Sequence, residues 1–239
     1  GASTLLYWPA PVVVAGGLLL AGAYSLRPIQ ISHRGVLAPM LLPAGYVAVP
    51  YLVGIFAARG TVTRVDLLLL AGLYAGFIGR IVLKDFRDVR GDALFGKRTF
   101  LVRHGRRATC AFSAAFLLLG LGVLPFVREV STSLVAVSLA YAAITLGLLR
   151  ALSRSTNARR DEALISAVAI LGRALVLTLC AHFAVVAAQW APLAAALFLA
   201  ALATAFIGSA LRMARRGPLT RTIVPLETEA PSLTASRVA

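Results

Sequence analysis

Residues 174–211 read ALVLTLCAHFAVVAAQWAPLAAALFLAALATAFIGSAL, 38 positions without one Asp, Glu, Lys or Arg. A bilayer-spanning helix needs about 20 mostly apolar residues. The run is therefore long enough for two short spans, broken near Gln189-Trp190-Ala191-Pro192. The rest of the chain has the same character. Of its 239 residues 59% are hydrophobic and only 14% charged, with a mean hydropathy of +0.86. A soluble domain carries about 25% charged residues to cover its surface. So little charge excludes a soluble globule, a disordered chain and a collagen-like repeat. Cys110 and Cys180 lie inside apolar runs and offer neither a disulfide framework nor a zinc spacing.

Working outward from that run, the chain reads as an all-α, polytopic transmembrane helix bundle. The expected spans are Pro9–Leu26, Val36–Ala57, Val65–Leu83, Ala108–Val127, Val130–Leu149, Ala163–Ala188 and Leu193–Leu211. The sixth carries Arg173, which leaves two readings open: a span with an intramembrane charge, or an interfacial segment from which Arg173 snorkels. The opening run lacks the basic start and small-residue cleavage pattern of a signal peptide. Residues 1–216 are expected to form the membrane domain and 217–239, with Pro218, Pro225 and Pro231, a disordered cytoplasmic tail.

The net charge of +15 follows the membrane. If Arg27–Gly35 is cytoplasmic and the spans alternate, 20 of the 24 Lys and Arg fall on the cytoplasmic side, nine of them from Arg80 through Arg107. Only Arg59, Arg64 and Arg128 face the other way. This is the positive-inside asymmetry. It predicts an integral protein of the cell membrane whose basic residues meet lipid headgroups, with no nucleic-acid partner.

Against this basic background one acidic stretch stands out: Lys84-Asp85-Phe86-Arg87-Asp88-Val89-Arg90-Gly91-Asp92. Asp85, Asp88 and Asp92 recur at i, i+3 and i+7, within about 60° of one helical face, on the continuation of the third span. Three carboxylates on one face repel unless a cation sits among them. Oxygen ligands suit Mg²⁺, which commonly bridges carboxylates to substrate phosphates. Lys84, Lys97 and Arg98 flank the trio and are placed to grip phosphate oxygens. A self-paired, solvated helix end among Lys84, Arg87 and Arg90 gives the same pattern. The position at the end of a span, with Gly91 and Gly96 following, favours diphosphate handling through Mg²⁺.

A second element, Tyr24-Ser25-Leu26-Arg27-Pro28, closes the first span on the same face. Tyr24 is read either as an interface anchor or as a ring facing a polar cavity. His33, His104 and His182 have no ligand-like spacing and read as structural or solvated. Trp8 and Trp190 read as interface anchors, and the glycines within spans as helix-packing sites.

The stretch from Lys84 through Gly91-Asp92, Gly96-Lys97-Arg98-Thr99 to Phe100 resembles the second aspartate-rich motif of the UbiA superfamily of intramembrane prenyltransferases. Tyr24-Ser25, with Arg27-Pro28 and Arg34-Gly35, resembles that family's Tyr-Ser loop, two spans upstream. The family's first motif, N-x-x-x-D-x-x-x-D, has no counterpart: no Asp precedes Asp66, and Asn157 is the chain's single Asn. With Gly1 instead of Met at its start, the sequence is expected to begin partway through the family fold and, as it stands, to be inactive.

The resemblance implies a Mg²⁺-dependent transfer of a prenyl group from a prenyl diphosphate to an aromatic or other lipophilic acceptor in the membrane. Asp85, Asp88 and Asp92 would hold the metal. Lys84, Lys97, Arg98, Arg27 and Ser25 would hold the diphosphate, and Tyr24 would face the allylic cation. The alternative class is a non-catalytic membrane transporter or scaffold with a basic cytoplasmic face. A CDP-alcohol phosphotransferase needs an Asp-Gly-x-x-Ala-Arg that this sequence lacks.

Overall fold

The computed structural model describes residues 9–31, 37–87, 99–127 and 130–218. Among them the chain is all helix. Six helices are long and apolar enough to cross a membrane, and a shorter apolar one precedes them. We number them α1 (Pro9–Ser25), α2 (Leu37–Ala58), α3 (Arg64–Arg87), α4 (Phe100–Phe126), α5 (Thr132–Arg154), α6 (Ala158–Ala187) and α7 (Pro192–Arg216). Apart from Gly217 and Pro218, the expected tail lies outside the described residues.

Local chemistry sets the helix starts. Thr63, Thr99 and Ser131 are side-chain caps, their hydroxyls accepting from Asp66, Val102 and Leu134 N–H. Asn157 accepts from both Arg159 and Arg160 N–H at the start of α6. Each satisfies backbone donors that the first turn leaves orphaned. In α2, Pro43 interrupts the ladder and the next turn, Ala44–Ala48, opens into a π-helix, because Pro supplies no N–H.

Several helices run a turn past the expected spans, α3 to Arg87, α5 to Arg154 and α7 to Arg216, and the first expected span is a 17-residue helix shorter than the six candidate spans. Two further differences have a local cause. The fourth helix begins at Phe100, ahead of the apolar run at Ala108, because Thr99 caps an amphipathic turn there. Gly105 (φ 76°, ψ 174°) then kinks the chain before the apolar part. The sixth is one continuous helix from Ala158 to Ala187, running straight through Arg173. At about 1.5 Å per residue that is ample to span a bilayer, so the interfacial alternative gives way.

α6 is the most buried span and the hub of the bundle. It packs on α5 and α7 and touches α3, while α4 packs on α3 and α5. The α3–α4 seam is built from small residues. A Cβ added at Gly120 would stand 2.6 Å from Gly72 O, and one at Gly79 would stand 2.7 Å from Ser113 O. Backbones this close admit no side chain, the usual device for joining helices in lipid. α2 leans on α3 through Tyr74 Oη, which donates to Met40 O at 2.7 Å, and α1 packs on the second half of α2. Leu18, Leu19, Leu139 and Leu193 point outward, each more than 60% exposed, as a lipid-facing surface requires.

Candidate functional site

α3 delivers the first carboxylate of the acidic stretch to the basic end of the bundle. Its α-helical part ends at Ile81, and a 3₁₀ turn, Val82–Lys84, leads to Asp85. Val82 and Leu83 are each 1% exposed, so the turn is clamped in the core. The next two side chains emerge at the rim, Lys84 exposed and Asp85 half-buried.

The residues just beyond are held from three other helices. Phe86 is buried beneath the guanidinium of Arg106, whose carbon lies 5.0 Å from the ring centroid. Arg106 donates to Asp161 Oδ2 at 2.7 Å and to Leu152 O at 3.2 Å. Asp161 is buried in the first turn of α6, where the helix dipole favours a carboxylate. Arg87 donates to Ser166 Oγ at 3.0 Å. One arginine of α4 therefore ties the end of α3 to α5 and α6.

Of the residues expected at the site, the structure brings Lys84 and Asp85 together. Asp88, Asp92, Lys97 and Arg98 lie outside the described residues. Among the described residues no three His, Cys, Asp or Glu side chains gather as metal ligands. Thr99, which ends the quoted motif, has a structural role as the cap of α4. Tyr24 (half-buried), Ser25 and Arg27 (both exposed) close α1. With α2 as the single intervening helix, α1 and α3 end on the same face. His182 is buried, with Nδ1 3.4 Å from Ser131 Oγ and its ring against Phe183, a packing role as expected.

Five helices of the bundle line a half-open cavity of about 360 Å³. Its walls come from α2 (Tyr46, Tyr51), α3 (Leu73, Gly76, Phe77, Arg80), α4 (Ser113, Leu117), α5 (Tyr141, Thr145) and α6 (Leu171, Gly172, Leu175). Tyr46 sits in the π-helical turn and stacks on Phe77, with centroids 5.7 Å apart. Tyr141 Oη and Thr178 Oγ1 pair at 3.1 Å, which satisfies a buried hydroxyl. Besides Arg80 and the neutral hydroxyls of Tyr46, Tyr51, Tyr141, Ser113 and Thr145, the walls are apolar.

Arg80 escaped the sequence reading, which counted it with the basic loop. It lies in the last turn of the α-helical part of α3 and faces the cavity. The available signal was its distance from Asp85: five residues is more than one helical turn, which places an arginine inside the span.

Residues 1–171 match the UbiA prenyltransferase family. The bacteriochlorophyll synthase 34 kDa chain of Chloroflexus aurantiacus is 35% identical over 109 residues, 44% of this chain and 34% of that protein. The bacteriochlorophyll synthase 33 kDa chain of Rhodobacter capsulatus is 29% identical over 93 residues, 37% of this chain and 31% of that protein. The match thus spans about a third of the length of these curated relatives. No solved structure matches.

Proposed function

This chain belongs to the UbiA prenyltransferase family, and we propose that it serves Mg²⁺-dependent transfer of a prenyl group from a prenyl diphosphate to a lipophilic acceptor. The observation that carries this reading is the double use of α3. The helix lines an apolar cavity with Leu73, Gly76 and Phe77, then ends at the rim with Lys84 and Asp85. An amphiphile with an anionic head and an isoprenoid tail fits that order of surfaces.

The donor set suits the metal. Asp85 offers hard oxygen at a half-buried position, and Asp88 and Asp92 continue the same chemistry in sequence. Bound there, Mg²⁺ would supply positive charge to a diphosphate leaving group. Lys84, with Lys97, Arg98, Arg27 and Ser25, would take the remaining phosphate oxygens. The Tyr24 ring would face the cation that forms as the C–O bond breaks. The apolar walls exclude the water that would otherwise quench it. The relatives named as bacteriochlorophyll synthases support an acceptor that lives in the membrane. The clustering of Arg and Lys at the rim supports a cytoplasmic orientation.

The test is binding of radiolabelled geranylgeranyl diphosphate to the chain in nanodiscs. Binding should require Mg²⁺ and disappear in Asp85→Ala while the variant still inserts. Binding that ignores both the metal and Asp85 refutes the reading.

A further inference from the structure

At the basic end of the bundle α6 starts where α7 stops, and an open cleft of about 970 Å³ lies between them. Arg159 and Arg160 come from the first turn of α6, Arg215 and Arg216 from the last turn of α7. All four are exposed and line the cleft. One carboxylate, the half-buried Glu162, stands among them. Asp161 beside it is already paired with Arg106. Among the described residues none of the four guanidinium groups has an ion-pair partner.

The backbone gathers these charges. Gly217 (φ 73°, ψ 175°) ends α7, its N–H donating to Met213 O at 2.9 Å. A Cβ added at Gly217 would lie 3.9 Å from Ala163 Cβ, so the end of α7 is docked on the second turn of α6. Four like charges held this way repel. Arg159 and Arg160 also oppose the dipole at the start of α6. Topology asks for basic residues on this face, but not for four of them around one cleft. One turn towards the hydrocarbon the lining becomes apolar, with Leu164 and Leu211.

We propose that this cleft binds an anionic phospholipid with two phosphates, of the diphosphatidylglycerol class. Its phosphates sit among the four arginines and its acyl chains run down past Leu211. Guanidinium forks match phosphate oxygens. Four arginines less Glu162 leave an excess of positive charge that two phosphates neutralise better than one. A cleft between spans, basic at the headgroup level and apolar below, complements a lipid, whereas a free anion would use only its upper half. The sequence after Pro218 is another source of anions. Residues 219–239 hold Glu227 and Glu229 but also Arg221 and Arg237, so their side chains bring no net charge. The lipid site goes beyond the catalytic reading and does not rest on it, since its residues lie on α6 and α7, away from Asp85 on α3.

The experiment is native mass spectrometry of the full chain in a mild detergent, titrated with tetraoleoyl cardiolipin, dioleoyl phosphatidylglycerol or dioleoyl phosphatidylcholine. Cardiolipin should fill one saturable site at least about tenfold tighter than phosphatidylglycerol, and phosphatidylcholine should fill none. Arg160→Gln/Arg215→Gln should remove that preference. Arg103→Gln/Arg107→Gln takes the same charge from exposed positions of α4 and should leave cardiolipin affinity within about twofold. Glu162→Gln should tighten cardiolipin binding by removing the opposing charge, a gain that misfolding cannot mimic. Should the cleft double variant fail to insert, Glu162→Gln carries the test, and an unchanged or weaker affinity there overturns the site.

Equal losses in the two arginine pairs overturn the cleft in favour of diffuse surface charge. Equal binding of cardiolipin and phosphatidylglycerol overturns the two-phosphate headgroup. Competition by millimolar inorganic phosphate assigns the cleft to a free anion, and displacement by geranylgeranyl diphosphate with Mg²⁺ assigns it to the proposed donor. A gain of about tenfold in Glu227→Gln/Glu229→Gln assigns it to the chain's own C-terminal sequence. Each of these three overturns the lipid site. Loss of the lipid site leaves the Asp85→Ala test of diphosphate binding intact, so the two readings fail separately.

Discussion

The two ends of α3 each carry an aspartate, and the two are built for different purposes. Asp66 lies in the first turn, where the helix dipole favours negative charge. It is 6% exposed, accepts from Thr63 N–H at 2.7 Å and Thr63 Oγ1 at 2.6 Å, and pairs with Arg59. Thr63 and Arg59 stabilise its charge against the cost of burial. Asp85 lies towards the carbonyl end, where the dipole opposes a carboxylate, and it is half-buried at a rim. A protein optimising stability alone would place a Lys or Arg there. The contrast teaches that Asp66 sits where a carboxylate serves the fold, whereas the position of Asp85 fits the binding role proposed for it.

That contrast can be broken experimentally. Asp85→Asn should lower Mg²⁺-dependent diphosphate binding or turnover by about 10²-fold or more, the scale of losing a main electrostatic contact at a reacting group. The thermal midpoint in detergent should stay the same or rise. A large drop in stability would make Asp85 a structural residue like Asp66.

Gly120→Val should destabilise by about 3 kcal/mol, because its Cβ meets the Gly72 carbonyl at the α3–α4 seam. Thermal unfolding with a tryptophan readout would detect it, and an unchanged midpoint would show the seam to be loose. Asp66→Asn should cost about 2 kcal/mol through the lost ion pair and capping box, with diphosphate affinity unchanged.

Arg106→Gln sharpens the comparison, since Arg106 serves both purposes. It should cost about 1–2 kcal/mol through Asp161 and the Leu152 carbonyl, and it should also weaken diphosphate binding by freeing Phe86. A stability loss with affinity intact would show that the rim does not depend on this tie.

Much of this was legible in the chain. Hydropathy located the helices because lipid makes a uniform demand on every span. The acidic trio was visible because acidic residues are scarce, nine among 239. The start of α4 was missed because Phe100–His104 mixes aromatic and basic residues, and its helicity comes from the Thr99 cap instead of an apolar run. The two readings of Arg173 stayed open for a similar reason. One charge in a long apolar stretch is compatible with either placement until the packing of α6 is seen. Arg80 was missed because linear order puts it next to the basic loop, while the helix carries it inward.

By itself the sequence determined a membrane-embedded helical bundle, its asymmetry of charge, and an acidic motif at the end of the third span. These are sums and spacings along the chain, and bilayer thickness and helical rise convert them directly into geometry. Only the tertiary structure decided which faces of five helices meet around one cavity and that Arg80 is among them. The rotation of a helix about its own axis is set by short-range packing, such as Gly72 and Gly79 against α4 and Gly172 against Arg80. An apolar helix in lipid has no solvent-facing side to announce that rotation in its composition.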